Sequence, residues 1–417
     1  MSDRQPLWKS LGPGLVWAGT AVGVSHLVQS TRAGAGYGLS LVLLVVAANL
    51  FKYPAYEAGP RYAAATGTSL LEGYRRRGTW ALVLFLLLTI STMFTVVAAV
   101  TFVAAGMAGA LVTDAIPVWG WSGILLALAI GMLLSGGFRV LERFMTAMML
   151  LLTASTVFSV LLVLPTADLA AVPAWPPFPP LEGPHLLFVA ALVGWMPSAL
   201  DTAVWHSQWA LEKERTEGVK LTREGARLDF DIGYIGTTVL AVLFVFLGAS
   251  LLYGRELPGS SIAFATLLVD TYTSALGAWA RPLILVAAFS TMLSTTVAVT
   301  DGFPRALEGA VERLKGAETA HTGRTWVYVA SLFVVAGVAQ LICVFFTGQL
   351  KALVDLATAL TGLTAPAFAV LNLVTLRGDE VPEDVRPRGL YLAFHLAGIV
   401  FLVAMALLYL WARALVA

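Results

Sequence analysis

The chain has 417 residues, 58% of them apolar and only 12% charged, where a soluble globular protein carries roughly 25% Asp, Glu, Lys and Arg. With a mean hydropathy of +0.82 and a formal charge of +1, it reads as an integral membrane protein. Soluble enzymes, disordered chains and nucleic-acid binders with basic patches are excluded.

The opening segment carries an acid, prolines and glycines before its first apolar run, and Gly23, Ser25 and His26 break that run. This is not a signal-peptide pattern, so the N-terminus is expected to stay in the mature protein. Apolar stretches of about 20 residues, the length that crosses a hydrocarbon core of ~30 Å, recur eleven times. They fall at 11–34, 39–63, 80–111, 119–136, 139–165, 185–211, 231–253, 279–302, 325–347, 351–374 and 389–413. None alternates with period two, so an all-α membrane fold is expected rather than a barrel. The single cysteine, Cys343, sits in the ninth stretch as a buried hydrophobe, with no disulfide or CxxC metal site open to it.

A cytoplasmic N-terminus places nineteen of the 26 Lys and Arg on one side, among them Arg4, Lys9, Arg75 to Arg77, Arg139, Lys213, Arg223, Arg305, Arg313, Arg324 and Arg377. Only Arg32, Arg255, Arg281, Lys351 and Arg413 fall opposite, and Lys52 and Arg61 lie inside the second span. This positive-inside bias supports both the span count and a bacterial-type inner-membrane orientation with the C-terminus on the far side. The proline-rich connector 165–185 divides a single domain, 1–417, into halves 11–165 and 185–374 plus an extra helix at 389–413.

The first span of each half is interrupted. Span one holds Gly19 to His26, and span six holds Gly194, Trp195, Met196, Pro197 and Ser198, where Pro197 removes a backbone donor. Interruptions in corresponding spans point to a midplane substrate site. Candidate substrate residues are therefore Gly23, Ser25, His26, Trp195, Met196, Ser198 and Asp201. Asp201 is the only carboxylate deep in either broken span. Such an acid faces a cavity or serves as a structural partner. His26 reads as a titrating group, a metal ligand or a hydrogen-bonded packing residue. Gln29, Lys52, Glu57 and His206 are candidate coupling or gating groups, with Glu57 and Arg61 spaced to pair. Ser294 and Thr295 belong to a hydroxyl stripe in span eight that bonds within the helix bundle or ligates Na⁺. No Walker motif or nucleophile–base pair is present, so neither an enzyme nor a resident cofactor is expected.

The run from Gly12 to Leu50, GPGLVWAGTAVGVSHLVQSTRAGAGYGLSLVLLVVAANL, together with GFRVLERF, Met196-Pro197 and LSTTVAVTDG, resembles the Nramp family of divalent-metal transporters. That resemblance implies the LeuT-type fold of five plus five inverted helices with one extra, helices one and six broken, alternating access, and proton-coupled uptake of manganese or iron. The departures are specific. The family's Asp-Pro-Gly-Asn falls on Gly23, Val24, Ser25 and His26, so both oxygen ligands are replaced. Its Met-Pro-His becomes Met196-Pro197-Ser198, and its helix-three acids fall on Thr92 and Thr95. A remaining metal set would be His26, Met196 and Asp201. The expectation is a secondary transporter of a small ion, a divalent metal by resemblance, driven by H⁺ or Na⁺. A non-metal solute or anion, and a non-transporting sensor, are the alternatives.

Overall fold

The computed structural model describes residues 7–165, 167, 172–173, 182–255, 257–258, 260–316 and 325–416. Among these the chain is helical with no strand. Most of the proline-rich connector lies outside the described residues, as do Arg4 and Arg324.

The first expected span forms two half-helices, α1 (Pro13–Ala21) and α2 (Thr31–Tyr37), joined through a wide π-type segment at Ser25–Ser30. Next come α3 (Val42–Thr66), the short α4 (Leu70–Arg77) and α5 (Thr79–Leu111). After α6 (Val118–Val163), the sixth expected span is again two half-helices, α7 (Gly183–Trp195) and α8 (Thr202–Glu217). The remainder comprises α9 (Arg223–Leu252), α10 (Ser261–Leu276), α11 (Ala280–Leu314), α12 (Trp326–Phe345), α13 (Leu350–Leu376) and α14 (Gly389–Val416). Among the described residues, eight helical segments are long and apolar enough to cross a membrane. The first and sixth expected spans fall short because each is broken, and α3 because Asn49, Lys52, Glu57 and Arg61 interrupt its apolar character. Helix α10 lies between the seventh and eighth expected spans.

Spans four and five are one helical run, α6, rather than two separated helices. Its first part meets α12 through Ser122 and Gln340 (2.7 Å), and its last part meets α11 through Phe158 and Trp279. Its middle reaches the opposite end of the bundle, where Arg139 donates to Thr216 O and Glu142 accepts from Lys213 Nζ at 2.6 Å. A straight helix of 46 residues would be about 69 Å long at 1.5 Å per residue. Within α6, Val118–Ser135 and Arg139–Val163 are each long and apolar enough to cross a membrane, so the fourth and fifth expected spans share one helical run.

The expected basic side assembles as one face. Glu72 takes Arg75 (2.6 Å) and Arg76 (3.2 Å), with Arg313 at 3.6 Å, while Arg77 meets Glu380 (2.5 Å) and Arg223 meets Asp384 (2.5 Å). Burial lifts the Glu72 carboxyl, but bonds from Arg75 and Arg76 outweigh it and hold the group below the usual carboxylate range. At the core, Val96 to Gly109 of α5 is buried on every side, as a helix apolar all round must be. The first broken span lies along α9 by close backbone approach: a Cβ at Gly248 would stand 2.4 Å from Thr31 O. Apolar side chains such as Leu87, Leu128, Leu150, Phe333 and Leu407 point outward from the long helices, as a lipid-facing belt requires.

Candidate transport site

The two breaks arise from different local chemistry. In α1 the chain leaves the helix at Val22 (φ −81°, ψ 80°). Gly23 N then donates to Ala21 O at 3.0 Å, and helix resumes only when Leu27 N reaches Gly23 O. Glycine is needed at 23, because a Cβ there would lie 2.7 Å from Thr295 Cγ2 and 2.8 Å from its hydroxyl. In the second break Pro197 has no donor, and Met196 takes an extended conformation (φ −93°, ψ 121°). Helix restarts at Thr202.

Side chains tie the breaks together. Ser25 Oγ stands 2.7 Å from Ala21 O in its own break and 2.9 Å from Pro197 O in the other. Trp17 Nε1 donates to Thr202 Oγ1 at 3.0 Å, and the Tyr56 hydroxyl donates to Ser198 O. Between the breaks is a small cavity lined by Thr20, Ser25, Trp195, Ser198, Thr202 and Thr295 among apolar neighbours. Its polar lining residues are Thr20, Ser25, Ser198, Thr202 and Thr295, with the indoles of Trp195 and Trp205, and no carboxylate is among them.

Four of the expected substrate residues meet here: Ser25, Trp195 and Ser198 on the cavity wall, and Gly23 against Thr295 behind it. The other three go elsewhere. His26 is fully buried, with Nε2 donating to Thr237 O at 2.9 Å and Nδ1 2.7 Å from Ser25 Oγ. A carbonyl only accepts, so the proton sits on Nε2, and both ring nitrogens are engaged within the protein. Met196 packs in an apolar cluster with Val45, Leu192, Ala241 and Val245. Asp201 is buried just before α8, off the cavity wall, and neither carboxylate oxygen has a hydrogen-bond partner. Among the described residues, no group of three or more His, Cys, Asp or Glu side chains could hold a metal.

The candidate coupling groups divide by place. Arg32 bonds Gln29 Oε1 (2.9 Å) and Asp355 (2.7 Å), a link between α2 and α13. Glu57 pairs with Arg61 (2.6 Å) and accepts from Tyr391 (2.7 Å). Lys52 Nζ donates to Val193 O (2.6 Å) and Gly194 O (2.9 Å) at the end of α7. His206 stands 3.5 Å from Asp229, whose oxygens accept from Gly12 N (2.8 Å) and Gly14 N (2.6 Å) at the start of α1. Ser294 and Thr295 bond within α11, and Thr295 also reaches the first break. Sequence reasoning missed Asp229 and the Thr237 carbonyl. Their hydrogen-bond partners Gly12, Gly14 and His26 lie more than 200 residues away in the chain, beyond any spacing rule.

Half-helices meeting tip to tip around a buried cavity, inside an apolar helical bundle, define a membrane transporter. Residues 14–412 match the family described as natural resistance-associated macrophage protein-like, or Nramp. An uncharacterized protein of Pasteurella multocida (strain Pm70) is 33% identical over 408 residues, covering 96% of this chain and 91% of its own. The chain belongs to the Nramp family. A mutant of the Eremococcus coleocola manganese transporter has a similar structure, with TM-score 0.74, 17% identity, and coverage of 99% of this chain and 88% of that one. Mhp1, a nucleobase-cation-symport-1 family transporter closed on bromovinylhydantoin, has TM-score 0.62 at 16% identity, covering 97% and 92%. Both show the LeuT-like fold that the resemblance implied.

Proposed function

We propose that this protein is a secondary active transporter that carries a small cation by alternating access, held between the two breaks through neutral oxygens. The observation that carries this reading is Ser25, whose Oγ lies 2.7 Å from Ala21 O and 2.9 Å from Pro197 O, one from each break, in a cavity walled by further hydroxyls. Hard cations take hydroxyl and carbonyl oxygens. A soft site built on His26 and Met196 finds no support in their placement. Family membership, and the manganese transporters among its structural relatives, favour a divalent metal as cargo. The halves 11–165 and 185–374 would then act as inverted repeats, with the basic face and N-terminus in the cytoplasm of a bacterial-type cell.

Uptake of Mn²⁺, Mg²⁺ and Zn²⁺ into proteoliposomes tests this, read with an enclosed metal-sensitive dye. Saturable uptake of at least one, lowered by Ser25→Ala, is expected. If none is moved and none binds in calorimetry, metal cargo is refuted. The second reading, a non-metal solute, would then take its place. It is favoured by the absence of a carboxylate on the cavity wall, since a divalent ion there lacks an anionic ligand. Binding without counterflow would point to a sensor.

A further inference from the structure

On the flank of the bundle formed by α6, α9, α10 and α11 lies another pocket, of about 450 Å³, which the transport reading does not use. One wall is a face of α6 running from Leu152 to Ser159, two turns or about 10 Å long. The other three helices close it with side chains such as Phe244, Leu268 and Ala288, and Leu27 reaches in from the first break. No lining residue is ionisable. Ser155 Oγ donates to Leu152 O at 2.9 Å and Ser159 Oγ to Ser155 O at 2.8 Å, so these hydroxyls are spent on their own helix. A charged solute finds no counter-charge here; an alkyl chain finds apolar walls. The lining residues Ser155 and Ile284 are half-buried, and beside them on the same two helices Phe158 and Val286 are exposed. The pocket therefore meets the surface within the lipid-facing belt. Its depth in the membrane is marked as well. Arg281, one turn before Ile284, pairs with Asp270, which directly follows the lining residue Val269, and exposed Trp279 packs on Phe158 at 6.2 Å. An exposed ion pair and an indole belong where hydrocarbon gives way to water, so the pocket lies just beneath that boundary.

We propose that this pocket binds one acyl chain of a membrane phospholipid. Moving a chain from the bilayer into the pocket gains no hydrophobic free energy, because lipid tails are already apolar. The gain is dispersion: without an occupant the wall atoms lack contact partners on one side, and a chain supplies them. The depth suits the upper part of a chain whose headgroup stays at the boundary, beside Asp270 and Arg281. What gives the site consequence is Leu27. It belongs to the wide segment Ser25–Ser30 through which α1 leads into α2, and it is two residues from Ser25 on the transport cavity. A chain packed on Leu27 braces that segment against α6 and α11, so an occupant taken from the lipid phase resists rearrangement of the first break. The effect on transport rests on the transporter reading; the binding of the chain does not.

The experiment titrates the delipidated full chain, without cargo, with dioleoylphosphatidylcholine and reads the melting temperature. The detergent has a rigid steroid body, so that it brings no alkyl chain of its own. A saturable rise is expected with the phospholipid and none with glycerophosphocholine, which has the same headgroup and no chains. Ala288→Phe places a ring in the pocket and should shrink the rise at least about twofold, as a filled site leaves no room for a chain. Val286→Phe, on the exposed face of the same helix, should respond as the parent does. If Ala288→Phe does not fold, Ser155→Leu at the half-buried rim is read in the same way. A rise with glycerophosphocholine, or a parent-like response in the pocket-filling variant, overturns the proposal. Since cargo is absent, that result leaves the transport reading standing. A lipid response that behaves as expected, with no uptake of any solute, would refute the transport reading alone.

Discussion

The breaks in the first and sixth spans look alike in outline and differ in how their ends are held. At the end of α7, a lysine buried to 0% exposure gives its charge to two carbonyls, a fixed interaction that depends on no solute. At the end of α1, two freed carbonyls share one hydroxyl of α11, and Ser25 reaches across to the other break. The start of α1, unlike its end, is held by a charge, through Asp229 on Gly12 N and Gly14 N. The pairing of breaks therefore does not make them equivalent. On this comparison the end of α7 is anchored by a resident charge, and the end of α1 by a neutral hydroxyl.

The strongest way to break the comparison is Lys52→Met. It leaves Gly194 O without its donor and Val193 O with only the Met196 N–H at 3.3 Å, and an unsatisfied buried acceptor costs about 1–3 kcal/mol. A fall of several degrees in melting temperature is expected, partly restored by Lys52→Arg, with calorimetry in detergent as the measurement. A variant that melts like the parent would mean the α7 carbonyls need no cation. Gly23→Ala comes next, because its new Cβ lands within 2.8 Å of the Thr295 hydroxyl and overpacking costs typically ~1–3 kcal/mol. Adding Thr295→Ala should recover part of that loss, since contacting residues are not additive. Strict additivity in the double-mutant cycle would show that Gly23 and Thr295 do not press on each other.

Much of this arrangement was legible from residue types and their order. Low charge and long apolar runs set the membrane class. Pro197 and the Gly23–Ser25 pattern marked both breaks, and the sorted basic residues marked a face that the Glu72, Glu380 and Asp384 pairs now assemble. What remained hidden is what depends on direction. His26 and Met196 are well placed along the chain, but the imidazole turns to Thr237 O and the thioether into an apolar cluster. Lys52 read as a gate because a sequence cannot show that its partners are carbonyl oxygens, which every residue carries.

Smaller effects sharpen the picture at α1. Ser25→Ala removes the contacts with Ala21 O, Pro197 O and His26 Nδ1 while leaving both breaks in place. A loss of about 1 kcal/mol, the usual net worth of one such bond, corresponds to about fivefold lower uptake. Uptake within twofold of the parent would remove Ser25 from the site. The smallest effect is expected from Thr237→Val. His26 is held by the main-chain oxygen of residue 237, and the threonine hydroxyl bonds only to Tyr234 O within its own helix. Valine keeps the carbonyl and nearly the same volume, so uptake and melting temperature should stay close to those of the parent. A large loss would mean that the side chain, not the carbonyl, orients His26. The ring would then be less firmly committed to the protein than its two bonds indicate, and His26 would return as a candidate ligand at the α1 break.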